Sequence, residues 1–166
     1  MVLPARTRRG FLTGRSSEDP ATIFPPGATE ASIKNCSGCG ACVDACPTGI
    51  ISIRSGIPVV DFGHGECTFC SKCAEGCPES VFPAGPAGGF AHFAAIGDGC
   101  LANNYVECQA CRDGCPAGAI RFRPRVGGPF VPELDVQACT GCGACIAVCP
   151  ADSITMKPRH RKAAHV

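Results

Sequence analysis

Hydrophobic and polar residues alternate along this chain only in short bursts. Ile50-Ile51-Ser52-Ile53 reads as a strand, Ser55-Gly56 as a turn, and Pro58-Val59-Val60-Asp61-Phe62 as the returning strand. The same plan recurs at Ile120-Arg121-Phe122, a turn at Gly127-Gly128, and Phe130-Val131-Pro132-Glu133-Leu134. Between the two hairpins the chain runs through Pro83, Gly85, Pro86, Gly88 and Gly89, which reads as a linker, and Phe90 to Ile96 could form a strand against Val81-Phe82. With 15 Pro and 21 Gly the chain is interrupted every few residues, so single-turn helices and short strands are the elements it can build. No apolar run is long enough to cross a membrane, and no membrane span is expected.

Composition sharpens the problem of what fills the interior. The 166 residues are 45% hydrophobic and 17% charged, as in an ordinary chain of one domain or two small ones. Nine Phe, one Tyr and no Trp leave little bulk for a core, whereas sixteen Cys are nearly a tenth of the chain. A scaffold this poor in aromatic residues needs staples, and the cysteines are the candidates.

The cysteine spacing is regular. Cys36, Cys39, Cys42 and Cys46 with Pro47 spell C-x2-C-x2-C-x3-C-P. Cys67, Cys70, Cys73, Cys77 and Pro78 repeat it, as do Cys139, Cys142, Cys145, Cys149 and Pro150. The remaining set, Cys100, Cys108, Cys111 and Cys115 with Pro116, keeps the later spacings and the proline but stretches the first gap from two residues to seven. Three cysteines at i, i+3 and i+6 let one loop wrap three corners of a cubane 4Fe-4S cluster. In the bacterial ferredoxin pattern that these runs resemble, the fourth cysteine serves the other cluster of a pair. Small residues between them, Ser37-Gly38 and Gly40-Ala41 or Thr140-Gly141 and Gly143-Ala144, let backbone N–H groups approach the sulfides. Structural zinc sites pair two C-x2-C knuckles across a long gap, and a disulfide framework requires no proline after every fourth cysteine. The sixteen cysteines therefore read as iron ligands of about four 4Fe-4S clusters. The stretched third set has the least support from spacing, since cysteines that had drifted from cluster duty would look the same.

Linker lengths pair the first motif with the second and the third with the fourth. One cluster then takes Cys36, Cys39, Cys42 and Cys77, and its neighbour Cys67, Cys70, Cys73 and Cys46. In the later half one takes Cys100, Cys108, Cys111 and Cys149, the other Cys139, Cys142, Cys145 and Cys115. A nested pairing, first with fourth and second with third, stays open. The expected fold is α+β, two ferredoxin-like lobes each built around a pair of clusters, with little regular secondary structure. Residues 1–30 form a basic, partly disordered segment, 31–82 one lobe, 83–98 a linker, 99–156 the other lobe and 157–166 a basic tail. Metal and fold should be one transition, since metal-thiolate bonds replace a core that the side chains cannot build.

Charge adds a polarity that the formal net of +1 conceals. Residues 36–156 carry six basic against eleven acidic side chains, while both ends are basic. Oxidised cubanes with their thiolates, at about −2 each, make the loaded centre more acidic still. Basic ends suit docking on a charged protein surface, or are simply solvated tails. Thr7-Arg8-Arg9-Gly10-Phe11-Leu12-Thr13 looks like a twin-arginine export signal, but Gly14-Arg15-Ser16-Ser17-Glu18-Asp19-Pro20 follows where an apolar run is needed, so the segment reads as uncleaved and cytoplasmic. His64, His92, His160 and His165 are scattered and read as surface or supporting residues. Arg121, Arg123 and Arg125 form a docking strip or one solvated face of a hairpin. No phosphate-binding glycine loop is present, no nucleic-acid partner is expected, and four cysteines per set leave no open iron corner for catalysis, so no catalytic residue is assigned.

These residues also carry a family resemblance. The opening Arg8-Arg9-Gly10-Phe11-Leu12-Thr13-Gly14-Arg15 resembles that of the NapF family, ferredoxin-type proteins encoded with bacterial periplasmic nitrate reductases. Cys77-Pro78-Glu79-Ser80-Val81-Phe82, Ile96-Gly97-Asp98-Gly99-Cys100-Leu101-Ala102 and Val106-Glu107-Cys108 resemble its second motif and its stretched third one. The likeness runs from about residue 7 to about residue 156, and makes the long gap a family feature. It implies a cytoplasmic protein without catalysis of its own that contacts NapA, the catalytic subunit, before export, and helps load or reduce NapA's iron-sulfur centre. Arg8 and Arg9 are then candidate partner-binding residues. A general electron carrier feeding an oxidoreductase is the alternative.

Overall fold

A computed structural model describes residues 22–82 and 89–159. Its helices are single turns, as the glycine and proline content requires: α1 (Ala41–Asp44), α2 (Lys72–Glu75), α3 (Ala110–Asp113) and α4 (Ala144–Ala147). Each opens one residue before the third cysteine of its motif and closes two residues before the fourth, so the proline lies beyond the helix and not at its end. Helices of four residues have no stability of their own, because nucleation is unfavourable and little propagation follows. A 3-10 turn, Ser32–Asn35, delivers the chain to Cys36.

Three two-stranded antiparallel sheets complete the described structure. β1 (Ile51–Arg54) and β2 (Ile57–Val60) form a hairpin with Ile51 opposite Val60. Its turn residues Ser55 and Gly56 both have positive φ, 51° and 81°, which matches the twist of the strands. β3 (His92–Ile96) pairs with β6 (Ile154–Pro158), Ile96 opposite Ile154. β4 (Ile120–Arg125) and β5 (Gly128–Leu134) pair Ile120 with Leu134, with an irregularity between Arg123 and Arg125.

The β3–β6 pairing changes three expectations. Residues 92–96, placed in the linker with a strand over Phe90 to Ile96 as the alternative, are a strand. Their partner is β6, not Val81-Phe82. Lys157 and Pro158, read as the start of the tail, end that partner strand. The two segments are distant in sequence, so no local pattern announces the pairing. A further difference lies at the other end. Ile23, inside the segment read as partly disordered, accepts a 2.8 Å hydrogen bond from the Val60 N–H, and Pro25 is fully buried. The free edge of β2 explains this, since an unpaired strand edge binds whatever backbone lies beside it.

Apolar burial falls into two groups. One gathers Ile50, Ile51, Val60, Phe62 and Phe90 with Cys42, the other Ala94, Ile120 and Ile154 with Cys111 and Cys145. Ile146 and Met156 pack against both, so the groups share an edge. Cys42, Cys111 and Cys145 belong to these groups, which places three of the candidate ligands in the interior. Among the described residues no helix is long and apolar enough to cross a membrane.

Candidate metal centres

All sixteen cysteines lie among the described residues, and none is in a disulfide. Cys46, Cys67, Cys70 and Cys73 line one cavity. Cys115, Cys139, Cys142 and Cys145 line another, and Cys100, Cys108, Cys111 and Cys149 a third. In each, three cysteines come from one motif and the fourth from another. The remaining group is visible in the electrostatics of Cys42, whose thiol is pushed up first by burial and then by nearby Cys36 and Cys77, with Cys73 adding to it. Cys39 of the same motif is exposed. The single-turn helices account for this geometry: three of them bury their third cysteine, Cys42, Cys111 and Cys145, and Cys73 on α2 is half-buried. The chain beyond each helix carries the fourth cysteine to the neighbouring group.

The stretched third motif is held by a clamp. The Asn104 side-chain amide donates to the carbonyls of Asp98 at 2.6 Å and Cys100 at 2.9 Å. Arg125 reaches across from β4, donating from Nη2 to the Ala102 carbonyl at 2.7 Å and from Nη1 to that of Asn103 at 3.4 Å. Its guanidinium lies 4.0 Å from the centre of the Tyr105 ring, a cation–π contact. These bonds fold the seven-residue gap back so that buried Cys100 joins Cys108 and Cys111. The three arginines of the β4 alternation therefore differ. Arg125 is structural, Arg123 pairs with Glu133, and Arg121 is exposed.

Electrostatics say what the groups need. The Cys145 thiol is pushed up to about 12, by burial and then by the like charges of Cys139, Cys142, Cys115 and Cys111. Cys111 is pushed up to about 11, by burial and then by Cys100 and Cys108. Burial also leads the upward shifts of Cys67 and Cys73. Thiols crowded in this way become thiolates only around strong positive charge, which iron supplies. Cys46 and Cys149 go the other way. Burial works to raise them, but hydrogen bonds outweigh it: the Thr48 hydroxyl and the N–H groups of Ile50, Thr48 and Gly49 at Cys46, and Ser153 and the Ala151 N–H at Cys149. The Thr48 and Ser153 hydroxyls lie 3.6 and 3.5 Å from the two sulfurs. Among the described residues no three Cys, His, Asp or Glu side chains close on one point as a single ion demands. The thiols instead stand around the walls of cavities, an arrangement that fits a four-iron body.

One residue that supports these loops is not identifiable from its surroundings in sequence. His92 is buried, with Nε2 2.9 Å from the Gly141 carbonyl between Cys139 and Cys142, and burial holds it below the usual histidine range. Arg159 similarly donates to the carbonyls of Val136, at 2.7 Å, and Cys139, bracing the approach to the fourth motif. His64 is exposed. Arg8, Arg9, His160 and His165 lie outside the described residues.

Residues 35–81 and 106–153 each match the family described as 4Fe-4S dicluster domain. The second match begins beyond Cys100, so the clamped loop lies outside the family pattern. The chain is 42% identical to ferredoxin-type protein NapF of Escherichia coli (strain K12) over 140 residues, 82% of this chain and 85% of that protein. It is 39% identical to ferredoxin-type protein NapF of Haemophilus influenzae over 156 residues, 86% of this chain and 89% of that one.

Proposed function

The chain belongs to the ferredoxin-type NapF proteins and carries multiple 4Fe-4S clusters; from that premise we propose that it is a cytoplasmic accessory protein for NapA, the catalytic subunit of periplasmic nitrate reductase. In this reading it loads or reduces the iron-sulfur centre of NapA before export, and has no catalytic site of its own. What supports it is the NapF relatives, 42% and 39% identical over most of the chain, beside cavities that are each lined by three cysteines of one motif and one of another.

The sixteen cysteines are the ligands in this proposal, four to each of four clusters. Cys36, Cys39, Cys42 and Cys77 form the first group, and Cys67, Cys70, Cys73 and Cys46 the second. Cys100, Cys108, Cys111 and Cys149 form the third, and Cys139, Cys142, Cys145 and Cys115 the fourth. The protein is then two lobes, each holding two groups. Bound clusters supply one-electron storage and transfer. The protein's part is to supply thiolates, exclude water at the buried cysteines and aim hydrogen bonds at chosen sulfurs. Thr48 is such a donor. Thr48→Ala is expected to lower the reduction potential of the second centre by up to about 60 mV, since one hydrogen bond contributes about 0.5–1.5 kcal/mol and 1.4 kcal/mol corresponds to about 59 mV for one electron. Film voltammetry of the variant reads this directly, and an unmoved potential removes the hydroxyl from the scheme.

Co-purification of the tagged protein with export-arrested NapA tests the proposal. Association is expected, with reduced nitrate reductase activity in a strain lacking the protein; no association together with full activity would remove the proposal. A second reading, a general carrier feeding an oxidoreductase, is favoured by the exposure of Cys39 and Cys70, which leaves an edge of the first and second groups open to any partner. It predicts rapid electron transfer from the reduced protein to an unrelated reductase.

A further inference from the structure

The second motif breaks a backbone pattern that the first and fourth obey. Two residues after the first cysteine stand Gly38 and Gly141, with φ of 72° and 75°. The corresponding residue of the second motif is Phe69, with φ of 54°. Left-handed backbone is open to glycine and strained for a bulky side chain, by about 1–2 kcal/mol. A phenylalanine held there must have surroundings that compensate.

Those surroundings lie between the halves of the chain. The Phe69 ring meets Phe90 with centroids 5.7 Å apart, and Phe90 meets Phe62 edge-on, also at 5.7 Å. His92 stacks on Phe90 at 4.5 Å and stands edge-on to Phe62 at 5.8 Å. Phe62 and Phe69 flank the start of the second motif, whereas Phe90 and His92 open the later half. Edge-to-face and offset pairs of this kind contribute about 0.5–1.5 kcal/mol each beyond their burial. The other wall of the cluster is the fourth motif. The Phe90 N–H donates to the Thr140 carbonyl at 3.2 Å, and His92 Nε2 meets that of Gly141. A Cβ on Gly141 would stand 2.7 Å from the His92 carbonyl oxygen, and one on Gly143 would run into the Phe62 ring. Finally, the Cys67 N–H donates to the Cys142 carbonyl at 2.8 Å, a backbone bond from one cysteine group to another.

We infer that this aromatic seam is a positioning device that fixes the second cysteine group against the fourth, so that the centres form one array in the order first, second, fourth, third. The inference rests on the reading of the cysteines as cluster ligands. Shared cavities mark the other neighbours: Cys46 of the first motif stands with Cys67, Cys70 and Cys73, Cys115 of the third with Cys139, Cys142 and Cys145, and Cys149 of the fourth with Cys100, Cys108 and Cys111. The first and third groups are the ends of the array, and the seam is the contact that makes two dicluster lobes a single unit. Phe69, Phe62, Phe90 and His92 are its positioning residues.

Phe69→Gly tests it, because it removes the ring and installs the residue that the first and fourth motifs carry at that place. Phe90→Ala is the second variant and alters no cysteine motif. Iron and sulfide are measured on anaerobic holoprotein, and the fully reduced protein is examined by low-temperature EPR and by thermal unfolding. Both variants are expected to keep the native content, about sixteen iron atoms for four cubanes. They should lose the part of the spin–spin broadening that arises between lobes, and their single unfolding transition should separate into two. Unchanged broadening and one transition in both variants, at full iron content, would overturn the seam. Iron loss from Phe69→Gly would also overturn it, placing the ring's role inside its own group. A native protein with fewer than four clusters would instead sink the ligand reading, so the two failures are distinct.

Discussion

Chelating the iron under air is expected to collapse the far-ultraviolet circular dichroism of the holoprotein together with its visible absorbance. The physical reason lies in the element lengths. Among the described residues, the four single-turn helices and three two-stranded sheets are each below the size at which such elements hold themselves together in water. Most helices keep their place through tertiary packing, and here each helix carries a buried or half-buried cysteine. Without metal, thiols such as Cys145, pushed up to about 12, stay protonated around a cavity and contribute no bonds. The loss should exceed the whole stability of an ordinary domain, about 5–15 kcal/mol. Readdition of iron, sulfide and reductant should restore both signals together. An apo protein that kept its native dichroism would contradict the claim that metal shapes this chain.

The second large effect is expected at Gly143. Gly40 and Gly143 occupy the same place in the first and fourth motifs, each just before its helix and each with φ of 85°. A Cβ on Gly40 would meet nothing within 4 Å, whereas one on Gly143 would enter the Phe62 ring. Gly40→Ala should therefore show only the left-handed backbone penalty, about 1–2 kcal/mol. Gly143→Ala adds overpacking of about 1–3 kcal/mol, since the ring is wedged among Phe90 and His92 and has little room to yield. At about 2–4 °C per kcal/mol for a chain of this size, the temperature at which cluster absorbance is lost should fall about 5–15 °C in Gly143→Ala and less in Gly40→Ala. Equal shifts in the two variants would mean that the contact with Phe62 contributes nothing.

Much of the local structure could be read from residues alone. Ser55-Gly56 marked the first turn, and the alternations at 50–53 and 120–122 marked strands, because turn chemistry and strand period are properties of adjacent residues. The strand at 92–96 was legible as a candidate over Phe90 to Ile96, but its partner at 154–158 carries too short an alternation to stand out, so the pairing was misplaced onto Val81-Phe82. Arg125 illustrates a different limit. Its sequence context is a run of alternating arginines, yet what it does is set by Ala102, Asn103 and Tyr105, which reach it only after the gap of the third motif has folded back. His92 likewise reads as an isolated histidine until Gly141 is placed beside it.

By itself, then, the sequence pointed to the chemistry: three cysteine runs at the ferredoxin spacing and a stretched one, in a chain that matches the 4Fe-4S dicluster family over 35–81 and 106–153 and belongs with the NapF-type ferredoxins. Apart from the long step from Cys100 to Cys108, that chemistry depends on intervals of three or four residues within each motif, which the covalent chain sets directly. Only the tertiary structure decided which cysteines of different motifs share a cavity, that Cys100 joins its group through the Arg125 clamp, and that the second and fourth groups meet across Phe62, Phe69, Phe90 and His92. Such neighbours are chosen by packing between segments far apart in the chain. Their competing arrangements differ in free energy by contacts that no local interval records.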